Sequence, residues 1–156
     1  MYLETSVVGY ATSRPSRSVI VAGHQQITRD WFARKAPRFA LYVSRLVVTE
    51  ATSGDEAAVQ RRTAFLAPFP LLAITDAAQH LMVKLLDCKA VPRKASEDAL
   101  HIAVAAVHGV SYLLTWNCRH IANAAMRQAI DRACRMAGYE PPVICTPEEL
   151  MNDARH

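Results

Sequence analysis

The stretch from Ser96 to His120 restricts the fold of this chain more than any other. Ser96 is suited to cap a helix, and Glu97 and Asp98 then fall in its first turn, where the helix dipole favours anions. From Ala99 to Val107 almost every residue is apolar, so this helix must be buried nearly all round. Gly109 can end it. Tyr112, Leu113 and Leu114 then read as a short buried strand that runs out onto the polar atoms of Thr115, Trp116 and Asn117. A carboxylate opening a buried helix costs free energy unless something compensates it. A divalent cation or a cluster of backbone N–H groups would do so for Asp98; simple capping of the helix is the alternative.

The same alternation runs through the whole chain. Short apolar runs at 2–3, 39–43, 71–74, 112–115 and 142–145 read as strands. Between them lie helical patterns: one from Val7 with Thr5 and Ser6 as caps, then 18–35, 44–51, 55–65, 76–86, 98–107 and 121–136. Thr146 and Pro147 open a last short one. Strands alternating with helices predict an α/β fold: a three-layer α/β/α sandwich around a mostly parallel five-stranded sheet. A length of 156 residues suits one domain, expected over 1–150, with 151–156 as a fraying tail.

Three carboxylates stand where these elements begin or end. Glu4 follows the first strand, Glu50 lies in the helix after the second, and Asp98 opens the buried helix. Asn117 ends the fourth strand. In open α/β sheets the C-terminal ends of the strands are where ligands bind. Hard oxygen donors gathered there suit Mg²⁺ or Mn²⁺, and like charges brought together need a cation, or a raised pKa, to coexist. Such an ion can activate water against a phosphodiester. The net charge of +4, with 14 arginines against 4 lysines, is compatible with a polyanionic partner, although solubility alone would account for it.

With those residues in place, four segments resemble PIN-domain proteins: Tyr2-Leu3-Glu4-Thr5-Ser6-Val7-Val8, Val48-Thr49-Glu50-Ala51, Ser96-Glu97-Asp98-Ala99-Leu100-His101-Ile102-Ala103 and Leu113-Leu114-Thr115-Trp116-Asn117. They are most similar to the VapC-like toxins of type II toxin–antitoxin modules. The resemblance covers essentially the whole chain in order. It implies a parallel five-stranded sheet between helices, divalent-metal-dependent endoribonuclease activity on RNA, a small cognate antitoxin protein as partner, and a homodimer. Carried over by position, Glu4, Glu50 and Asp98 would hold Mg²⁺ or Mn²⁺, and Asn117 would join them as a catalytic residue that positions water. Thr5, Ser6 and Thr115 would support the site with hydroxyls, and His120 and Arg119 would contact substrate. For Ser6, helix capping is the favoured role.

Two positions depart from the family pattern. Glu4 stands where aspartate is usual and is one methylene longer; Asn117 stands where many members have a fourth acid, and can offer a carbonyl oxygen but no charge. A PIN-like module that binds RNA or a protein but cleaves weakly or not at all is therefore the alternative reading.

Other residues carry less. His101 and His108 are expected to be core or hydrogen-bonded histidines, Trp116 to be packed rather than stacked on a base, and His24 to be on the surface. The glycines form neither a dinucleotide fingerprint nor a phosphate loop. No apolar run reaches the roughly 18 residues that span a bilayer, and the first residues do not resemble a secretory signal. Together with four scattered cysteines, Cys88, Cys118, Cys134 and Cys145, this leads to the expectation of a cytoplasmic protein with reduced thiols and no membrane partner.

Overall fold

A computed structural model describes residues 1–151 of the chain. The elements run β1 (Tyr2–Leu3), α1 (Thr5–Thr12), α2 (Val19–Arg34), β2 (Val43–Ser44), α3 (Arg45–Ala51), α4 (Glu56–Leu66), β3 (Leu71–Leu72), α5 (Asp76–Asp87), α6 (Ser96–Val107), β4 (Tyr112–Leu114), α7 (Ala124–Met136), β5 (Val143–Cys145) and α8 (Pro147–Met151). Two short 3₁₀ turns, 36–38 and 93–95, link them. The chain is thus α/β, with a small all-parallel arrangement of three plus two strands among the described residues.

In the three-stranded sheet β4 is central. Tyr2 and Leu3 pair with Leu113 and Leu114 on one side, and Tyr112 to Leu114 pair with Val143 to Cys145 on the other. The second sheet pairs Val43 and Ser44 with Leu71 and Leu72. A single parallel bridge, Tyr2 to Tyr42, joins the two. It carries two backbone hydrogen bonds of 2.9 Å, from Leu3 N to the Tyr42 carbonyl and from Tyr42 N to the Met1 carbonyl. Parallel strands buried on both faces read as continuous apolar runs, and Leu3, Leu113 and Leu114 are fully buried.

Helix α6 is buried as its composition requires: Ala99 and Ile102 to Ala105 have no exposed surface. It packs against α5 and leads into β4. Gly109, at φ +65°, takes the chain out of α6, and Gly138, at φ +87°, does the same after α7. Capping chemistry works as the sequence suggests at three starts. Asp55 accepts from Ala58 N at 3.0 Å, and Thr75 accepts from Ala78 N at 3.2 Å. Thr146 and Glu149 form a reciprocal pair at α8, with the Glu149 carboxylate accepting from Thr146 N at 2.7 Å.

Several expected boundaries move, each for a local reason. Strand β2 begins at Val43 rather than Phe39: the backbone is already extended at Phe39, but the ladder to β3 starts only where Val43 pairs with Leu71. Strand β3 stops at Leu72, since Thr75 is already the cap of α5. Helix α7 starts at Ala124, not Ile121, because Asn123 caps it and 121–122 donate back to the Asn117 carbonyl. Ser96 is not a cap: Ala95 holds that position and the 3₁₀ turn runs straight into α6. Helix α1 is capped by Glu4 rather than by Thr5 or Ser6. Of the expected tail 151–156, Met151 ends α8 and the remainder lies outside the described residues.

No helix among the described residues is long and apolar enough to cross a membrane. All four cysteines are free. Burial pushes the Cys134 thiol up to about 11 and Cys145 up to about 12, which keeps both protonated and unreactive.

Candidate functional site

The C-terminal ends of β1 and β4 bring Glu4 and Thr115 together. Glu4 N continues the ladder by donating to the Leu114 carbonyl at 3.0 Å, and the chain then turns into α1. Glu4 is 6% exposed, and its carboxylate has three donors. Ser6 N reaches one oxygen at 3.1 Å. The Ser6 hydroxyl and the Thr115 hydroxyl, the latter at 2.6 Å, reach the other. Donors aimed at an ionised carboxylate offset the loss of water around it.

Glu50 comes to the same place from the last turn of α3. Its Oε2 accepts from the Thr5 hydroxyl and from His101 Nε2, the latter at 3.0 Å. His101 is fully buried, and its Nδ1 lies 2.7 Å from the Tyr2 hydroxyl. That hydroxyl lies 2.8 Å from Ser44 Oγ. Ser44 stands at the N-cap position of α3, yet its side chain turns to Tyr2 instead of capping. One carboxylate oxygen each from Glu4 and Glu50 and a ring nitrogen of His101 all lie within 4.8 Å of one another.

Asp98 stands in a neighbouring group. One of its oxygens accepts from Asn117 Nδ2 at 2.9 Å, and the other faces His120 Nδ1 at 2.9 Å. Asn117 Oδ1 in turn accepts from His120 N at 3.1 Å. The side chains of Asp98 and His120 are mostly buried, at 21% and 17% exposed. The two groups share Thr115, whose Oγ1 accepts from Asn117 N at 2.9 Å while its hydroxyl serves Glu4. The compensation that Asp98 requires thus comes from an amide and an imidazole.

Of the residues singled out in the sequence, Glu4, Glu50, Thr5, Ser6 and Thr115 meet in the first group, and Asp98, Asn117 and His120 in the second. Arg119 is exposed beside the second, its carbonyl accepting from Asn123 Nδ2. Trp116 is packed: its Nε1 donates to Thr28 Oγ1 at 2.8 Å. His24, expected on the surface, is instead half-buried and stacked on Trp116, with centroids 4.0 Å apart. His108 is exposed and bonded to the Ala73 carbonyl. The residues underrated by the sequence are His101, Tyr2 and Ser44. The one signal for His101 was a lone polar residue inside the apolar run of α6; Tyr2 and Ser44 offered none.

Electrostatics distinguishes Glu50. Burial pushes its carboxyl up, but the hydrogen bond and charge of His101 and the Thr5 hydroxyl outweigh that and hold it below its ordinary value of 4.5. Burial also pushes the Tyr2 phenol well above its ordinary value of 10, against the Ser44 hydrogen bond, and the charges of Glu4 and Glu50 add to the rise. Tyr2 is therefore a neutral hydroxyl that can donate. Since the folded Glu50 binds its proton less readily than the unfolded one, it stabilises the fold above pH 4.5. That contribution is expected to disappear as the pH falls through the lower, folded value. Thermal melts from about pH 6 down to about pH 3 should show a shallower acid limb for Glu50→Gln than for the wild type. Parallel limbs would mean that Glu50 is not held low.

An apolar groove of about 460 Å³, lined by Phe32, Pro37, Tyr42, Phe69 and Pro70 among others, opens where the chain enters β2 and β3. It contains none of these titratable groups.

The fold and site define a class: an α/β protein with two carboxylates and a histidine gathered where parallel strands end. No family model matches the chain, and no curated protein or solved structure matches it.

Proposed function

We propose that this chain is a divalent-metal-dependent endoribonuclease of the PIN-like, VapC-like kind, hydrolysing RNA phosphodiester bonds. The observation that carries the reading is the meeting of Glu4, Glu50 and His101, with ligand atoms within 4.8 Å, from three separate elements. In this reading the bridge at Tyr42 makes the two sheets one five-stranded parallel sheet, ordered β3-β2-β1-β4-β5. The strand order reverses between β1 and β4, the place where open α/β sheets bind ligands, and Glu4 and Thr115 stand at those two strand ends.

The donor set fits a hard divalent ion. Two carboxylates suit Mg²⁺ or Mn²⁺, which prefer hard oxygen donors. Glu4 and Glu50 would hold it. When bound, such an ion supplies a Lewis acid for a phosphate oxygen and lowers the pKa of coordinated water. The chain's own residues prepare the place. Ser6 and Thr115 aim the Glu4 carboxylate, Thr5 and His101 aim Glu50, and Asp98 with Asn117 and His120 forms the adjoining polar wall. Arg119, exposed beside that wall, is placed to meet phosphate, and the net charge of +4 favours a polyanion. A small antitoxin protein and a second copy of the chain belong to the same reading. Val19 and Ile20, 87% and 72% exposed at the start of α2, suit such a contact.

A second reading, a module that binds without cleaving, is favoured by one observation: the Glu4 carboxylate already has three donors and caps α1. Cleavage of single-stranded and structured RNA with Mg²⁺, Mn²⁺ or EDTA decides between them. Nuclease predicts products with either metal and none with EDTA. Retained RNA binding without products in any condition supports the module.

A further inference from the structure

We infer that Tyr2 and His101 are positioning residues for the proposed metal site, and that Ser44, Tyr2 and His101 form one ordered chain of hydrogen bonds that aims the Glu50 carboxylate. The inference rests on the metal-dependent reading above and adds to it the groups that hold one ligand in place.

The donor order follows from chemistry. An ionised carboxylate only accepts, so His101 Nε2, 3.0 Å from Glu50 Oε2, must carry a proton. A neutral ring has one proton, so Nδ1 must accept, and the Tyr2 hydroxyl 2.7 Å away must donate to it. The Tyr2 oxygen is then free to accept from Ser44, 2.8 Å away. With a neutral ring the order is Ser44 to Tyr2 to His101 to Glu50. A cationic ring would reverse the outer two bonds, with Nδ1 donating to Tyr2 and Tyr2 to Ser44. The bond to Glu50 is the same in both.

Burial makes this order consequential. Tyr2, Ser44 and His101 have no exposed surface, so no bulk water replaces a lost partner. Tyr2 and Glu50 together disfavour a flipped ring. Turned by half a rotation about its Cβ–Cγ bond, the imidazole would offer carbon to both Tyr2 and Glu50. The chain also spans separate elements, β1, β2, α3 and α6, and it crosses between the two sheets at the Tyr2–Tyr42 bridge. A residue in this role resembles the partners that orient metal ligands in other proteins, whose loss costs about 10- to 100-fold in metal affinity or activity.

The test is Mn²⁺ binding, read as loss of the free-ion signal in electron paramagnetic resonance. Four proteins are compared: wild type, Tyr2→Phe, His101→Gln and His101→Leu. Phenylalanine keeps the ring volume and removes only the hydroxyl. Glutamine can accept from Tyr2 through its carbonyl and donate to Glu50 through its amide. Leucine can do neither. The expected result is a dissociation constant raised at least about 10-fold in Tyr2→Phe and His101→Leu, with His101→Gln closer to wild type. Thermal melting identifies any variant that has lost its fold. Wild-type affinity in Tyr2→Phe and His101→Leu overturns the positioning role and leaves the metal site standing. A wild type that binds no Mn²⁺ removes the metal reading and this inference with it. Should the variants not fold, nitrogen NMR of the wild-type His101 ring carries the test. A proton on Nε2 is the expected result, and a ring protonated only on Nδ1 overturns the order.

Discussion

Replacing Glu50 by glutamine is expected to abolish Mn²⁺-stimulated RNA cleavage, with a loss of at least about 100-fold, the upper end of what removing a ligand's supporting partner alone costs. The substitution keeps the side chain's shape. It removes the charge, and with it one of the two carboxylates that converge on the proposed cation. Its carbonyl oxygen can still accept from the Thr5 hydroxyl and His101 Nε2, which both reach Oε2, so the loss tests the charge rather than these hydrogen bonds. Asp98→Asn is expected to reduce cleavage through the neighbouring group, because an asparagine cannot accept from both Asn117 Nδ2 and His120 Nδ1. Rates measured under single-turnover conditions, with melting curves at neutral pH as a control for folding, check both. Wild-type rates in both variants, still sensitive to EDTA, would place the metal elsewhere on the chain.

Trp31→Ala should cost about 3–5 kcal/mol of folding stability. Trp31 is fully buried on α2, edge-on to Phe32 at 5.0 Å and stacked with Phe39 at 5.9 Å. Its removal leaves a large cavity in a core that cannot close around it. Against a typical total of about 5–15 kcal/mol, that loss is a large share of the whole stability. Trp31→Phe is expected to cost much less. The Trp31 indole N–H is buried with no hydrogen-bond partner among the described residues, so phenylalanine removes an unsatisfied donor while keeping most of the apolar area. Urea denaturation of the three proteins checks the ordering. Equal losses in both variants would mean that the indole edge, not the filled volume, matters at this position.

How much of the site was legible varied with the range of the interaction. Glu4, Glu50 and Asp98 stood out because each is a charge set beside an apolar run at an element boundary. Their hydroxyl partners Thr5 and Thr115 were singled out only through the family resemblance. His101 was not, because a single histidine in an apolar helix reads as core until its neighbours are known. Its neighbours lie 51 and 99 residues away. Nor did the sequence separate Asp98 from Glu4 and Glu50; the side chain that faces Asp98 across the turn after β4 is His120, and only packing shows that.

What the sequence determined alone is what short-range chemistry decides. Asp55, Thr75 and Thr146 start helices because their side chains reach N–H groups three residues on, and the run after Asp98 is buried because all of it but His101 is apolar. The tertiary structure alone decided which polar atoms meet. Tyr2 faces both Ser44 and His101 only because β1 lies beside residue 42 on one side and β4 on the other. Strand order and register are set by the packing of the whole chain, and neither is written in any local pattern of apolar and polar residues.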